Sequence, residues 1–217
     1  ILSNISNELG DSLSGVDSDR RSGPHYSLTE GILTVKDMKR LIAIVAVVCA
    51  LSGLLMLKTS FGTLFALEPL CLIILGAAAM GGAVKYTLGR NPYGYRGLGD
   101  ISVFTFFGIV SVLGAYFVAA HTIPSLLMLL PAVAMGCFSV GVLNVNNMRD
   151  VKSDAGIRVT TPMRIGVKGA KIYHTALIVT GWICLTIFNL CRFPDPWHWL
   201  FFITLPLFVF HLRGVWA

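Results

Sequence analysis

Charge is scarce in this sequence. Only 13% of its 217 residues are Asp, Glu, Lys or Arg, while 55% are hydrophobic, and the mean hydropathy is +0.74. Soluble domains carry about 25% charged residues, so a water-solvated globule is excluded and lipid is the expected solvent. Metal-binding cysteine patterns are also missing. Cys49, Cys71, Cys137, Cys184 and Cys191 lie in or at the ends of apolar runs, and none forms a CxxC or Cys/His cluster. That argues against a zinc site or a disulfide framework and leaves them as packing residues. His25, His121, His174, His198 and His211 are scattered, without metal-ligand spacing. There is no initiating Met and no signal peptide, since the chain opens Ile1-Leu2-Ser3-Asn4. The expectation is a piece of a longer protein, cut at both ends. The net charge of +6 would suggest nucleic acid in a soluble protein, but topology explains it here, and no nucleic-acid partner is expected.

What the chain does have is long apolar runs. A bilayer span needs about 20 mostly apolar residues, and six candidates fit: 41–57, 69–88, 101–120, 123–144, 172–191 and 197–212. They are too long for strands and predict an all-α, polytopic transmembrane helix bundle. Tight turns are expected near His121 and near Pro194-Asp195-Pro196. Pro131 is expected to kink the fourth span. The run Gly76, Ala77, Ala78, Ala79, Gly81, Gly82 is a small-residue patch suited to close helix contact. Trp182, Trp197 and Trp199 read as interfacial belt residues, and the Phe-rich runs at 104–107 and 201–202 as lipid-facing or packing residues.

Alternating spans put 1–40, 89–100, 145–171 and the C-terminus on one side, and 58–68, the His121 turn and 192–196 on the other. Of the 17 Lys and Arg residues, all but Lys58 and Arg192 fall on the first side or its adjoining helix ends. The positive-inside rule makes that side cytoplasmic. Lys36, Lys39, Arg40, Lys168 and Lys171 read as topology anchors. Nearly all the acids share the side, so dense charge of both signs is grouped in three stretches. Mere passage across a membrane does not require that.

Two segments carry the chemistry. One runs from Asn7-Glu8-Leu9-Gly10-Asp11 to Asp17-Ser18-Asp19-Arg20-Arg21; the other is Asn144-Val145-Asn146-Asn147-Met148-Arg149-Asp150-Val151-Lys152-Ser153-Asp154. On a helix, residues four apart share a face. That sets Asn7 beside Asp11 and stacks Asn146, Asp150 and Asp154, with Asn147 close by. Carboxylates in a row repel and are costly to desolvate near a membrane. A divalent cation removes both objections, and hard Asp and Asn oxygens suit Mg²⁺, which shares phosphate oxygens readily. The metal-ligand set is therefore Asn7, Asp11, Asn146, Asn147, Asp150 and Asp154, a clamp for a diphosphate. Lys85, Arg90 and Arg149 are suited to phosphate contact, and Tyr86, four residues before Arg90, offers a hydroxyl donor. Singly, Asp17, Asp19, Asp37 and Asp100 read equally well as solvated loop charge.

At these motifs the sequence resembles the UbiA-type intramembrane prenyltransferases over essentially its whole length. The residues that carry the resemblance are Ile1–Asp11 with Asp19-Arg20-Arg21-Ser22-Gly23-Pro24, the stretch from Tyr86 through Arg90-Asn91-Pro92-Tyr93-Gly94-Tyr95 to Gly97-Leu98-Gly99-Asp100, and Asn144–Asp150 with Asp154 and Arg164-Ile165-Gly166. The middle stretch points to the naphthoate-prenylating branch. The resemblance implies one transmembrane prenyltransferase domain over 1–217, truncated at both ends, with about six complete helices of the nine in the family fold. It makes 1–40, 89–100 and 145–171 cytoplasmic active-site loops in a bacterial inner membrane. It implies a Mg²⁺-dependent transfer of a polyprenyl group from polyprenyl diphosphate to 1,4-dihydroxy-2-naphthoate, with decarboxylation, giving demethylmenaquinol. Asp11, Asp150, Asp154 and Tyr86 would be catalytic, and Arg158 would join Lys85, Arg90 and Arg149 on the diphosphate. Glu8 stands where the family usually has Asp, and Gly156-Ile157-Arg158-Val159-Thr160 is one residue shorter than the usual run after Asp154.

Two other readings are open on the residues. Within the class the acceptor could be 4-hydroxybenzoate or homogentisate. Outside it, acidic rows occur in divalent-cation transporters, which place polar groups near the bilayer midplane on broken helices. Here the carboxylates lie at one face and the span interiors are nearly free of charge.

Overall fold

The computed structural model describes residues 1–15, 27–28, 30–193 and 195–217. Asp17, Asp19, Arg20, Arg21, His25 and Pro194 lie outside them. The described chain is all-helical apart from one isolated backbone bridge, Arg96 to Val159. A short amphipathic helix, α1 (Leu2–Ser14), comes first. Among the described residues, the six helices long and apolar enough to cross a membrane are α2 (Val35–Phe61), α3 (Leu67–Lys85), α4 (Gly99–Ala120), α5 (Leu126–Arg149), α7 (Thr161–Arg192) and α8 (Pro196–Trp216). Between α5 and α7 lies the single turn α6 (Val151–Asp154). The chain is thus a multi-pass membrane protein.

The chain forms two compact units: Ile1–Gly99 with Asp150–Thr160, and Asp100–Arg149 with Thr161–Ala217. In the first, Leu2, Ser6, Leu9 and Gly10 make the buried face of α1, at the spacing of one helical stripe. Gly10 is required there, because a Cβ would stand 2.5 Å from the Cβ of Thr87. The start of α2 is set by a capping box. Thr34 Oγ1 accepts from Asp37 N–H, and Asp37 Oδ2 accepts from Thr34 N–H, which extends the helix well before the apolar run begins.

In the second unit α5 and α7 supply the core, with Ala132, Ala134, Cys137, Val140, Ala170 and Ile178 buried. The most apolar windows of α5 and α7 are 33% buried, against 6% or less for the other four spans. The middle of α4, Phe104–Val110, is wound as a π-helix. It presses on α5: the Phe104 ring covers Gly136, and Gly108 meets the Gly136 backbone.

Several expectations need correcting. Pro131 does not kink a span, because α5 begins at Leu126 and its α-helical part at Leu129, so Pro131 falls in the first turn, where a missing N–H costs nothing. The break lies in α7 instead, at Gly166 with φ 74 and ψ 163. The small-residue patch of α3 makes no close contact at Gly76 or Gly81, where an added Cβ meets open space. Trp182 is no belt residue; it is buried and packs against Phe201, Phe202 and Phe208. The scattered His174 and His211 meet, Nε2 to Nε2 at 2.8 Å.

Candidate active site

Three pieces of the first unit converge: the C-terminal half of α1, the loop after α3, and the segment around α6. Asp11 lies on the buried face of α1, one turn before the helix closes on Gly15 in a left-handed conformation, φ 80. Its Oδ1 accepts a 2.7 Å hydrogen bond from the Tyr95 hydroxyl, and Ser14 Oγ approaches that hydroxyl at 2.9 Å. Burial pushes the Tyr95 hydroxyl far above its usual pKa, and the charge of Asp11 works the same way, so Tyr95 stays a donor. Thr87 ties the same loop to α1: its Oγ1 donates to Ser6 O at 2.9 Å and lies 3.2 Å from Asn7 Oδ1.

The second motif does not form one continuous helical row. Helix α5 stops at Arg149, and Asp150 has φ −94 and ψ 9 before α6 begins. Asp154 N–H still donates to Asp150 O at 2.9 Å, so these two acids remain a turn apart. Asp150 is 2% exposed and Asp154 fully buried. On α5, in the second unit, Asn147 is buried while Asn146 and Arg149 are exposed. The buried Asn144 donates from Nδ2 to Ala170 O at 3.0 Å, joining α5 to α7.

Arg158 turns back over this acidic pair. Its Nε stands 2.7 Å from Asp154 Oδ2, and its Nη1 stands 3.5 Å from Asp11 Oδ1. Its guanidinium carbon lies 5.9 Å from the centre of the Tyr95 ring, within cation–π range. The backbone holds it there, because Val159 N–H donates to Tyr95 O at 2.9 Å. The 2.7 Å contact is an ion pair without hydrogen-bond direction, since Arg158 Nε and both Asp154 carboxylate oxygens lack a hydrogen-bond partner. Burial pushes the Asp154 carboxyl up, with Arg158 pulling it down and Asp150 and Asp11 adding to the rise. Burial works against the Arg158 charge, but Asp154 and Asp11 outweigh it and hold the guanidinium above its usual value. Two ionised partners would lower the acid and raise the base; the base moves that way, and for the acid the loss of water outweighs the pair.

Among the described residues no three His, Cys, Asp or Glu side chains gather closely enough to hold a metal by themselves. Mg²⁺ does not need such a cage, since it is commonly held by one or two carboxylates plus waters and phosphate oxygens. A fully buried carboxylate with an oxygen that no group satisfies, and a second carboxylate on α1 joined to it through Arg158, fit that kind of site.

The other expected phosphate ligands have local partners. Lys85 is exposed, with Nζ donating to Arg90 O at 3.1 Å, and Arg90 is exposed. Tyr86 lies edge-on to Tyr93 at 5.4 Å, and its carbonyl accepts from Gly94 N–H. Glu8 Oε1 accepts from Leu28 N–H at 3.4 Å. Asp100, in the second unit, accepts from Thr161 Oγ1 at 2.7 Å. Sequence reasoning missed Tyr95, Thr87 and Ser14. Tyr95 lies in the Pro92–Asp100 stretch read only as a marker of the family branch; a tyrosine pair flanking Gly94 was the available signal.

A model of the UbiA prenyltransferase family matches residues 1–217. The chain is 42% identical to the 1,4-dihydroxy-2-naphthoate octaprenyltransferase of Escherichia coli (strain K12), over 99% of this chain and 69% of that protein. It is 34% identical to the protein of the same name in Haemophilus influenzae, over 97% of this chain and 68% of that one. The namesake in Mycobacterium tuberculosis is 31% identical over 94% of this chain and 66% of its own length. The chain thus spans about two thirds of these relatives. No solved structure gives a significant match.

Proposed function

The chain belongs to the UbiA prenyltransferase family, and from that membership we propose that it transfers a polyprenyl group from polyprenyl diphosphate to 1,4-dihydroxy-2-naphthoate, with loss of diphosphate and carbon dioxide, giving demethylmenaquinol. Likeness supports the acceptor, which appears in the names of three relatives at 31–42% identity. One observation carries the chemistry: Asp154 is fully buried, has an oxygen that nothing satisfies, and is joined through Arg158 to Asp11. Carboxylates withdrawn from water call for a cation, and a substrate rich in phosphate oxygens completes the coordination that two or three acids begin.

Asp11, Asp150 and Asp154, with Asn7, would hold Mg²⁺, which neutralises the diphosphate and eases its departure when bound. Arg158 and Arg90 suit bidentate contact with the phosphates, and Lys85, bonded to the Arg90 carbonyl, adds positive charge. Tyr86 positions the loop that carries these groups and offers its hydroxyl to the same oxygens. The allylic C–O bond breaks with its electron pair going to the diphosphate, the ring carbon that bears the carboxylate attacks the allylic carbon, and the carboxylate then leaves as carbon dioxide, its bonding pair restoring the aromatic ring. An allylic cation formed this way needs shelter from water. Likeness to bacterial relatives supports a place in a bacterial cytoplasmic membrane, and the Lys/Arg bias supports the motif stretches lying on its cytoplasmic side.

The test uses full-length protein in membranes, supplied with polyprenyl diphosphate and Mg²⁺ and offered 1,4-dihydroxy-2-naphthoate and 4-hydroxybenzoate in parallel. Prenylation of the naphthoate alone, lost with EDTA and in Asp11→Ala and Asp150→Ala, is expected. Prenylation of the benzoate instead would keep the chemistry and refute the acceptor. Turnover near the wild-type rate in either alanine variant would refute the carboxylate assignment.

A further inference from the structure

Two acids proposed to share a cation already share one. Arg158 is 13% exposed and contacts Asp154 at 2.7 Å and Asp11 at 3.5 Å. It is anchored by the bond from Val159 N–H to Tyr95 O and by the Tyr95 ring. The oxygens a metal would want are partly spent: Asp154 Oδ2 on Arg158, and Asp11 Oδ1 on Arg158 and the Tyr95 hydroxyl. A divalent cation arriving alone must compete with a guanidinium held within the site, and a displaced Arg158 would leave its largely buried position with nothing to pair. A diphosphate changes the balance. It offers the planar guanidinium fork a bidentate partner of higher charge than either carboxylate, and it brings oxygens that finish the metal's shell.

We propose that Arg158 holds the place of a divalent cation between Asp11 and Asp154 and yields it only when a diphosphate takes the guanidinium, so that metal and diphosphate load together. The proposal rests on the carboxylates being the metal's ligands. Each ligand then raises the affinity of the other by the same factor, as linkage requires.

The experiment counts Mn²⁺ bound to full-length protein in detergent micelles by equilibrium dialysis, with and without inorganic diphosphate. Wild type is expected to bind Mn²⁺ alone weakly and at least about tenfold more tightly with diphosphate, within the usual range of coupling between sites. Arg158→Gln is expected to bind Mn²⁺ alone about tenfold more tightly than wild type and to lose most of the diphosphate effect. Arg158→Lys keeps the charge without the fork; it is expected to bind Mn²⁺ alone as weakly as wild type but to lose most of the diphosphate effect, and it stands in if the Gln variant does not fold. Equal Mn²⁺ affinity of wild type and Arg158→Gln without diphosphate would overturn the proposal and leave the carboxylate ligands standing. So would tight Mn²⁺ binding to wild type that ignores diphosphate. Binding in the presence of diphosphate that is untouched by Asp11→Asn and Asp154→Asn would instead refute the carboxylate ligands themselves, and the proposal with them.

Discussion

At the residue scale the decisive fact is a buried ion pair. Asp154 is fully buried and Arg158 nearly so, which makes the pair costly to build and costlier to break. Removing one member of such a pair strands the other, at about 3–5 kcal/mol, whereas replacing both with apolar groups of similar size is often neutral. Asp154→Ala is therefore expected to lower thermal stability strongly in detergent, because Arg158 keeps only the 3.5 Å contact with Asp11 and the face of the Tyr95 ring. The double variant Asp154→Leu, Arg158→Met is expected to recover most of that loss and still be inactive. Recovery of activity with stability would mean the pair serves packing alone. Little of this arrangement was legible in the sequence. The acids announce themselves by spacing, and the family resemblance brings in Arg158 as a phosphate ligand. That Arg158 folds back on Asp154 and reaches Asp11 depends on the bond from Val159 N–H to Tyr95 O, a contact across more than sixty residues that no periodicity encodes. Tyr95 was hidden for the same reason.

At the scale of elements, apolar length located all six spans but misjudged their ends. Hydropathy marks where lipid contact stops, and the helices continue past it. Helix α2 starts six residues before its apolar run because Thr34 and Asp37 cap it, a signal present in the sequence but masked by the charged first turn. Helix α7 begins at Thr161, through a polar stretch broken only at Gly166. Close helix packing among the described residues falls on α4 and α5. Glycine density pointed to α3, but the glycines that admit a neighbour are those opposite bulk, as Gly136 is to the Phe104 ring and Gly108 is to backbone. These two sites differ in a testable way. A Cβ at Gly108 would lie 2.6 Å from Gly136 Cα and 2.7 Å from Ala132 O, neither of which can swing aside; a Cβ at Gly136 would meet the Phe104 ring at 2.7 Å. Overpacking costs about 1–3 kcal/mol where the surroundings must shift. Gly108→Ala should lower the melting temperature more than Gly136→Ala, and adding Phe104→Leu should rescue only the second. Equal losses without rescue would show that the π-helical segment of α4 is not seated on α5 by this contact.

At the scale of the whole molecule, the strongest sequence signal is the alternation of sides, and it constrains what the chain can do. A charged side chain at the centre of a span costs about 2.5–3.5 kcal/mol on an insertion scale. The apolar windows of all six helices hold at most two Asp, Glu, Lys or Arg, so charge has to collect in the connections. It collects unevenly: of 17 Lys and Arg residues only Lys58 and Arg192 fall on the side of 58–68, His121 and 192–196. Six alternating spans follow only if each connection turns the chain back. Four exposed positions decide it: Phe65 and Ile123 on the sparsely charged side, Asn91 and Lys152 on the other. In full-length protein whose native cysteines are replaced, Phe65→Cys and Ile123→Cys are expected to react with an impermeant thiol reagent added outside intact cells. Asn91→Cys and Lys152→Cys should react only after the membrane is opened. Labelling of Asn91→Cys together with Phe65→Cys from outside would mean that α3 does not cross. The loop carrying Lys85, Tyr86 and Arg90 would then sit on the opposite face from the cytoplasm, where no cytoplasmic diphosphate could reach it.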